Sequence, residues 1–185
     1  VINLGAAMVG GNGNREKDDF YPTPPEATVA LMLAVRLAPC IWEPACGDGA
    51  MCRVLEAVGH KVVATDLIDR GYGRGGVDFL QQSEPFDGDI ATNPPFKTAA
   101  AFIEHSATLA ARRFFLLKVS FWNAARRMKL FTEHPPSLVM PLTWRLDFTG
   151  GGAPTMDCMW CAWGTPERGF KPLPRPGAAV MEMLT

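Results

Sequence analysis

Ile41-Trp42-Glu43-Pro44-Ala45-Cys46-Gly47-Asp48-Gly49 is the stretch on which the fold turns. A short apolar run ends at Glu43, glycines stand at 47 and 49, and Ala50–Val58 reads as a helix. Strand, glycine turn and helix in that order begin a βαβ unit, which takes its ligands at the carboxyl ends of the strands. Glycines at that edge let the backbone come close to whatever binds. The β-branched run Lys61–Thr65 supplies the second strand and ends at Asp66-Leu67, with Asp66 17 residues beyond Gly49. An acid in that place can accept two hydrogen bonds from a ribose diol.

The rest of the chain extends this alternation. Thr23-Pro24-Pro25-Glu26 reads as a helix start, with Thr23 as N-cap, Pro24 in the first turn and Glu26 closing a capping box; the helix should reach about Leu37. Gly71–Gly76 reads as loop. Strands are expected at Gly88–Thr92, Arg113–Val119, Ser137–Leu142 and Met156–Trp163, with helices at Ala99–Ala111 and Asn123–Thr132. Alternating strands and helices predict an α/β fold, a doubly wound and mostly parallel sheet in a single domain. The expected organisation is a flexible N-terminal tail over 1–19, a folded unit over 20–165 and an irregular Pro-rich tail over 166–185.

Composition narrows the classes. A chain of 185 residues with 48% apolar content suits one domain with a sizeable core. No apolar run is long enough to span a bilayer, and Val1–Asn14 lacks a basic segment leading into an apolar one, so a cytoplasmic location is expected. The five cysteines are expected to be reduced thiols. Cys158 and Cys161 have the spacing of half a zinc site, but on a strand residues three apart face opposite ways, so no metal is expected. Net charge is −1, unevenly placed: 97–145 carries eight bases against Glu104 and Glu133, leaving +6 there and −7 elsewhere. That fits either a nucleic-acid surface or a set of solvated helix faces.

Two further features carry chemistry. The glycine turn reads Gly47-x-Gly49-x-x-Cys52, which lacks the third glycine of a dinucleotide fingerprint. Glu43 and Asp48 would sit poorly beside a pyrophosphate but well beside a cation, such as the sulfonium and ammonium groups of S-adenosylmethionine. Asp78-Phe79 could accept from an adenine amino group and pack on its ring, or Asp78 could simply cap its own backbone. Asn93-Pro94-Pro95-Phe96 follows an apolar strand. The prolines force Asn93 out of the helical region and supply no N–H groups. The turn therefore presents acceptors, the Asn93 side-chain oxygen and the Pro94 carbonyl, next to an aromatic face on which a planar base can stack. Four such residues alone could equally be a tight turn.

Taken in order, Phe20-Tyr21-Pro22-Thr23-Pro24-Pro25, Glu43–Gly49, Asp66, Asp78-Phe79 and Asn93–Phe96 resemble the amino-group methyltransferases of the N6-adenine DNA type, especially the small phage and prophage forms. The resemblance covers about residues 20–163 and extends to Leu116–Trp122, Arg126-Arg127 and Trp160–Trp163. It implies the class I methyltransferase fold, with S-adenosylmethionine as cofactor. Tyr21, Thr23, Glu43, Ala45 and Cys46 would contact that cofactor, as would Gly47, Asp48, Gly49, Asp66, Leu67, Asp78, Phe79 and Asn93. Asn93, Pro94, Pro95 and Phe96 would form the catalytic turn. The partner would be adenine-containing DNA, single-stranded or with the base flipped out, in a bacterial or phage-infected cell. Lys97, Lys118, Arg126, Arg127 and Arg145 would meet phosphates, and Trp122 would face the strand or else lie in the core. Nothing after Trp163 has the length of a target-recognition domain, which implies short or relaxed sequence specificity.

Rivals share parts of the pattern. RNA methyltransferases acting on guanine N2 also use Asn-Pro-Pro-Phe but often follow it with a histidine, where this chain has Lys97. An RNA adenine N6 enzyme and an inactive nucleic-acid-binding module also remain open. Glutamine methyltransferases use a Tyr after Asn-Pro-Pro, and a nicotinamide oxidoreductase fits the glycine spacing least.

Overall fold

The computed structural model describes residues 20–152 and 154–184. The expected flexible tail over 1–19 lies outside the described residues. Seven strands form one sheet: β1 Cys40–Glu43, β2 Lys61–Ala64, β3 Asp89–Thr92, β4 Arg112–Lys118, β5 Leu138–Pro141, β6 Cys158–Trp163 and β7 Gly169–Phe170. The helices are α1 Pro25–Ala34, α2 Ala50–Ala57, α3 Ala99–Ser106, α4 Met128–Glu133 and α5 Ala178–Leu184. Strand order is β2-β1-β3-β4-β6-β5-β7. The first four strands are parallel, β6 runs antiparallel to both β4 and β5, and β7 is parallel to β5. The predicted doubly wound, mostly parallel sheet is therefore what forms.

This order fixes the site. The chain steps outward from β1 to β2, then returns across β1 to lay down β3. Connections on the two sides of β1 leave in opposite directions, which opens a crevice at the carboxyl ends of β1 and β3. Glu43 ends β1 and Thr92 ends β3, so Glu43 and Asn93 arrive at one crevice.

Core packing explains why β6 lacks polar alternation: all six of its residues are buried. Cys158, Trp160 and Ala162 enter the core layer shared with α1 and α2, whereas Met159, Cys161 and Trp163 enter the layer shared with α3. The Trp160 indole N–H donates to the Ala27 carbonyl at 2.8 Å, so its one polar atom is satisfied. Cys158 and Cys161 lie on opposite faces of the sheet, as their spacing on a strand requires.

Three expectations need correction. The capping box does not form: α1 starts at Pro25 with no side-chain cap, and it ends at Ala34, short of Leu37. Thr23 is occupied elsewhere, as described below. The helix expected over Asn123–Thr132 is replaced by a 3₁₀ turn, Ala125–Arg127, and the short α4, with another 3₁₀ turn, Val119–Trp122, just ahead of them. Only Leu130 is buried in α4, so this stretch has too little apolar surface to hold a longer helix against the sheet. The supposed irregular tail after 165 completes the sheet. Gly169, Lys171 and Leu173 donate their N–H groups to Ser137, Val139 and Pro141. Pro172 and Pro174 alternate with them and fall where no donor is needed, the edge position at which proline is tolerated. They also remove two backbone donors from the outer edge of the sheet, which disfavours further pairing there.

Candidate functional site

The crevice is a cavity of about 490 Å³, within the range of small-molecule sites. It is walled by three chain segments that meet only in the fold: the strap Phe20–Thr23, the glycine turn after β1, and Asn93–Thr98 after β3. Asp66, Leu67, Asp78 and Phe79 complete it. Every predicted cofactor residue lines this cavity except Gly49, and so do all four residues of the Asn-Pro-Pro-Phe turn. Gly49 instead caps α2 with φ of 87°, where the Tyr72 ring leaves no room for a side chain.

Glu43 is the centre of the site's electrostatics. It is 1% exposed. Burial pushes its carboxyl up to about 8, and the charge on Asp66 pushes the same way; the Ala45 and Asn93 backbone N–H groups and the nearby Thr92 hydroxyl only partly offset this. The Ala45 N–H donates to Oε1 at 3.1 Å. Thr92 Oγ1 lies beside the carboxyl without reaching hydrogen-bond geometry to any described group. No described cation pairs with Glu43. A buried acid in that condition favours a cationic ligand, because such a ligand relieves its desolvation penalty.

The glycine turn is drawn tight around this acid. Gly47 has φ of 57°, and a Cβ there would come within 2.5 Å of the Phe20 ring. Its N–H donates to Asp66 Oδ2 at 2.8 Å, while Asp66 Oδ1 accepts from Ile68 N–H at 2.8 Å. Asp66 thus ties the ends of β1 and β2 together, and each carboxylate oxygen keeps a lone pair for a ligand. Asp78 accepts from Leu80 N–H at 3.0 Å and caps the turn Phe79–Gln81, the self-capping alternative, while still lining the cavity. The Cys46 thiol is pushed up to about 12, chiefly by burial, and is no nucleophile at neutral pH.

Asn93 is held by the strap. Its Nδ2 donates to the Tyr21 carbonyl at 3.2 Å and to Thr23 Oγ1 at 3.1 Å. A carbonyl can only accept, so the amide group facing the strap must be the NH₂. Both amide protons are engaged there, which leaves Oδ1 as an acceptor on the other limb of the planar carboxamide. Beside it, the Phe96 ring lies 5.3 Å from Tyr21, and Tyr21 meets Phe148 at 5.9 Å. Lys118 Nζ sits 3.8 Å from the Phe96 centroid and 5.9 Å from that of Tyr21.

The predicted nucleic-acid residues divide. Lys97 lines the cavity, and Lys118 lies over the Phe96 ring that forms part of its wall. Arg126 is exposed on its 3₁₀ turn. Arg127 donates to the Phe121 carbonyl at 2.6 Å and lies over that ring, and Arg145 is paired with Asp157 at 2.9 Å. Trp122 is half-buried and packs against the core: it stacks on Phe131 at 4.2 Å and points its N–H at Met159 Sδ. The basic excess in 97–145 is partly structural too, since Arg112 is paired with Asp89 and Arg113 is half-buried.

Two site residues had no local signal. Arg70 lies 4.2 Å over the Phe20 ring and itself lines the cavity. Phe148 arrives from the connection between β5 and β6, far along the chain.

With this geometry in place, comparison with solved structures defines the fold as that of class I S-adenosylmethionine-dependent methyltransferases. A protein of that description from Listeria monocytogenes superposes with a TM-score of 0.54 at 14% identity, covering 96% of this chain and 74% of its own. The type I restriction-modification methyltransferase subunit of Streptococcus thermophilus matches at 0.59 and 12%, covering 88% of this chain but only 51% of the subunit. A dimethyladenosine transferase from Plasmodium falciparum matches at 0.56 and 15%, over 78% of this chain and 62% of its own. No family model matches the chain, and no curated protein matches it in sequence. No described helix is long and apolar enough to cross a membrane.

Proposed function

We propose that the chain transfers a methyl group from S-adenosylmethionine to the N6 amino group of adenine in DNA, with short or relaxed sequence specificity. The observation that carries this reading is the Asn93 carboxamide, anchored by its NH₂ to Tyr21 and Thr23 so that Oδ1 remains to accept. The cofactor fits the cavity's chemistry: a buried acid that pairs with no cation among the described residues, a glycine turn with no room for side chains, and a second acid at the end of β2.

S-adenosylmethionine, when bound, supplies an electrophilic methyl group. Glu43, Asp66 and Asp78 would hold it through its cationic and hydroxyl or amino groups. Asn93 Oδ1 and the Pro94 carbonyl would accept hydrogen bonds from the two N6–H groups and localise the nitrogen lone pair, which is otherwise delocalised into the ring; once methylated, the nitrogen would lose one of those protons past Asn93 Oδ1 to water. Fixed acceptors and alignment then provide most of the rate. A base stacked on Phe96 gains ~1–3 kcal/mol, more than the ~0.5–1 kcal/mol of an exposed cation–π contact.

The test is mass spectrometry of nucleosides from methylation-free DNA and from RNA, each incubated with the protein and labelled S-adenosylmethionine. Label in N6-methyladenine from DNA is expected. Label confined to RNA or to guanine would overturn the substrate assignment, and cofactor binding without label in either would overturn the nucleic-acid reading.

A further inference from the structure

We infer that Thr23 is a positioning residue that holds the Asn93 carboxamide in the orientation the Tyr21 carbonyl selects; this rests on the methyl-transfer reading above. Thr23 is 6% exposed and sits where the strap enters α1. Its sequence context marks it as a helix cap, yet it caps nothing. The hydroxyl instead accepts from Asn93 Nδ2 across 70 residues of chain. A hydroxyl has one proton and two lone pairs. Accepting from Asn93 uses a lone pair and leaves the proton to donate into the cavity that Thr23 lines. The same side chain can therefore meet a ligand and hold the catalytic amide.

An asparagine carboxamide is nearly symmetric in shape, so packing alone does not choose between its two flips. The Tyr21 carbonyl, which can only accept, makes the choice here, and the Thr23 hydroxyl, accepting the second amide proton, holds the chosen flip in place. A flipped amide would offer N–H donors to an amino group that is itself a donor, and attack would be suppressed. The strap that carries both acceptors is seated on the cofactor side through Phe20 against Gly47 and on the substrate side through Tyr21 against Phe96. Amide polarity is thus linked to the seating of the strap on both halves of the site.

Thr23→Val keeps the branched shape and removes the hydroxyl, whereas Thr23→Ser restores it. Thr23→Val should lower kcat roughly 10–100-fold, with KM for DNA within about twofold of the parent. Thr23→Ser should recover most of kcat. Independently of turnover, the Asn93 side-chain NH₂ protons should exchange slowly in amide NMR spectra of the parent and Thr23→Ser, and quickly in Thr23→Val. This spectroscopic arm holds even if the substrate assignment fails, because it reads the orienting bond directly. Parental kcat and slow Asn93 exchange in Thr23→Val would overturn the inference, as would a Thr23→Ser variant as impaired as Thr23→Val.

Discussion

The two ends of the sheet each bury an acid, and they treat it oppositely. At the amino end of β3, Asp89 is 1% exposed but accepts from Ala38 N–H at 2.7 Å and pairs with Arg112 at 3.1 Å. Burial raises its carboxyl, and the Ala38 N–H and the Arg112 guanidinium pull it back. At the carboxyl end of β1, Glu43 is equally buried, has no cation beside it among the described residues, and is pushed further up by Asp66. An acid kept in the fold to stabilise it is given its counter-charge by the chain. One that lacks a counter-charge, beside a cavity, is matched to a ligand that brings one.

The comparison can be broken by mutation, beginning at the functional end. Asn93→Ala should reduce single-turnover methylation by about 10³-fold or more while S-adenosylmethionine affinity stays within about threefold of the parent. Comparable losses in both would make Asn93 a structural residue. In the core between the two ends, Trp160→Ala should cost about 3–5 kcal/mol in denaturant unfolding. A loss below about 1 kcal/mol would show that β6 does not organise the two core layers.

At the structural end, Arg112→Met should destabilise the fold by roughly 2 kcal/mol, allowing for a guanidinium about one-third exposed to solvent. The same variant should leave kcat per folded molecule unchanged. A kinetic effect there would erase the contrast between the two ends.

Glu43 gives a prediction in pH. Between about 4.5 and 8 the unfolded chain has released this proton and the folded chain keeps it, so folding stability falls as pH rises across that window. Glu43→Gln should flatten that fall by a few kcal/mol at most, seen as a smaller drop in Tm from pH 5 to pH 8. It should also weaken S-adenosylmethionine binding about 10-fold or more at pH 8. A stabilised fold with undiminished affinity would place Glu43 outside the ligand's reach.

Much of this was legible in the sequence because local chemistry determined it. The strand, glycine turn and helix around Glu43 and the prolines after Asn93 restrict the backbone wherever they occur, and both formed as read. Gly49 takes the positive-φ position that caps α2, a role that looks the same in sequence as a glycine approached by a ligand. The edge strand after 165 was hidden because Pro172 and Pro174 argue against a strand unless it is known that only alternate residues must donate. Phe148 and Arg70 could not be read at all, since their roles depend on loops that meet the strap only after the sheet has formed. Thr23 misled most usefully: its capping signature was real, but the fold gives its hydroxyl to Asn93.

The most direct test of the contrast is calorimetric titration of S-adenosylmethionine at pH 7 in buffers of different ionisation enthalpy. A cation arriving beside Glu43 should expel its proton, so binding should release close to one proton in the parent and none in Glu43→Gln. Tight binding with no proton release in the parent would contradict the view that Glu43 is held protonated for a cationic cofactor.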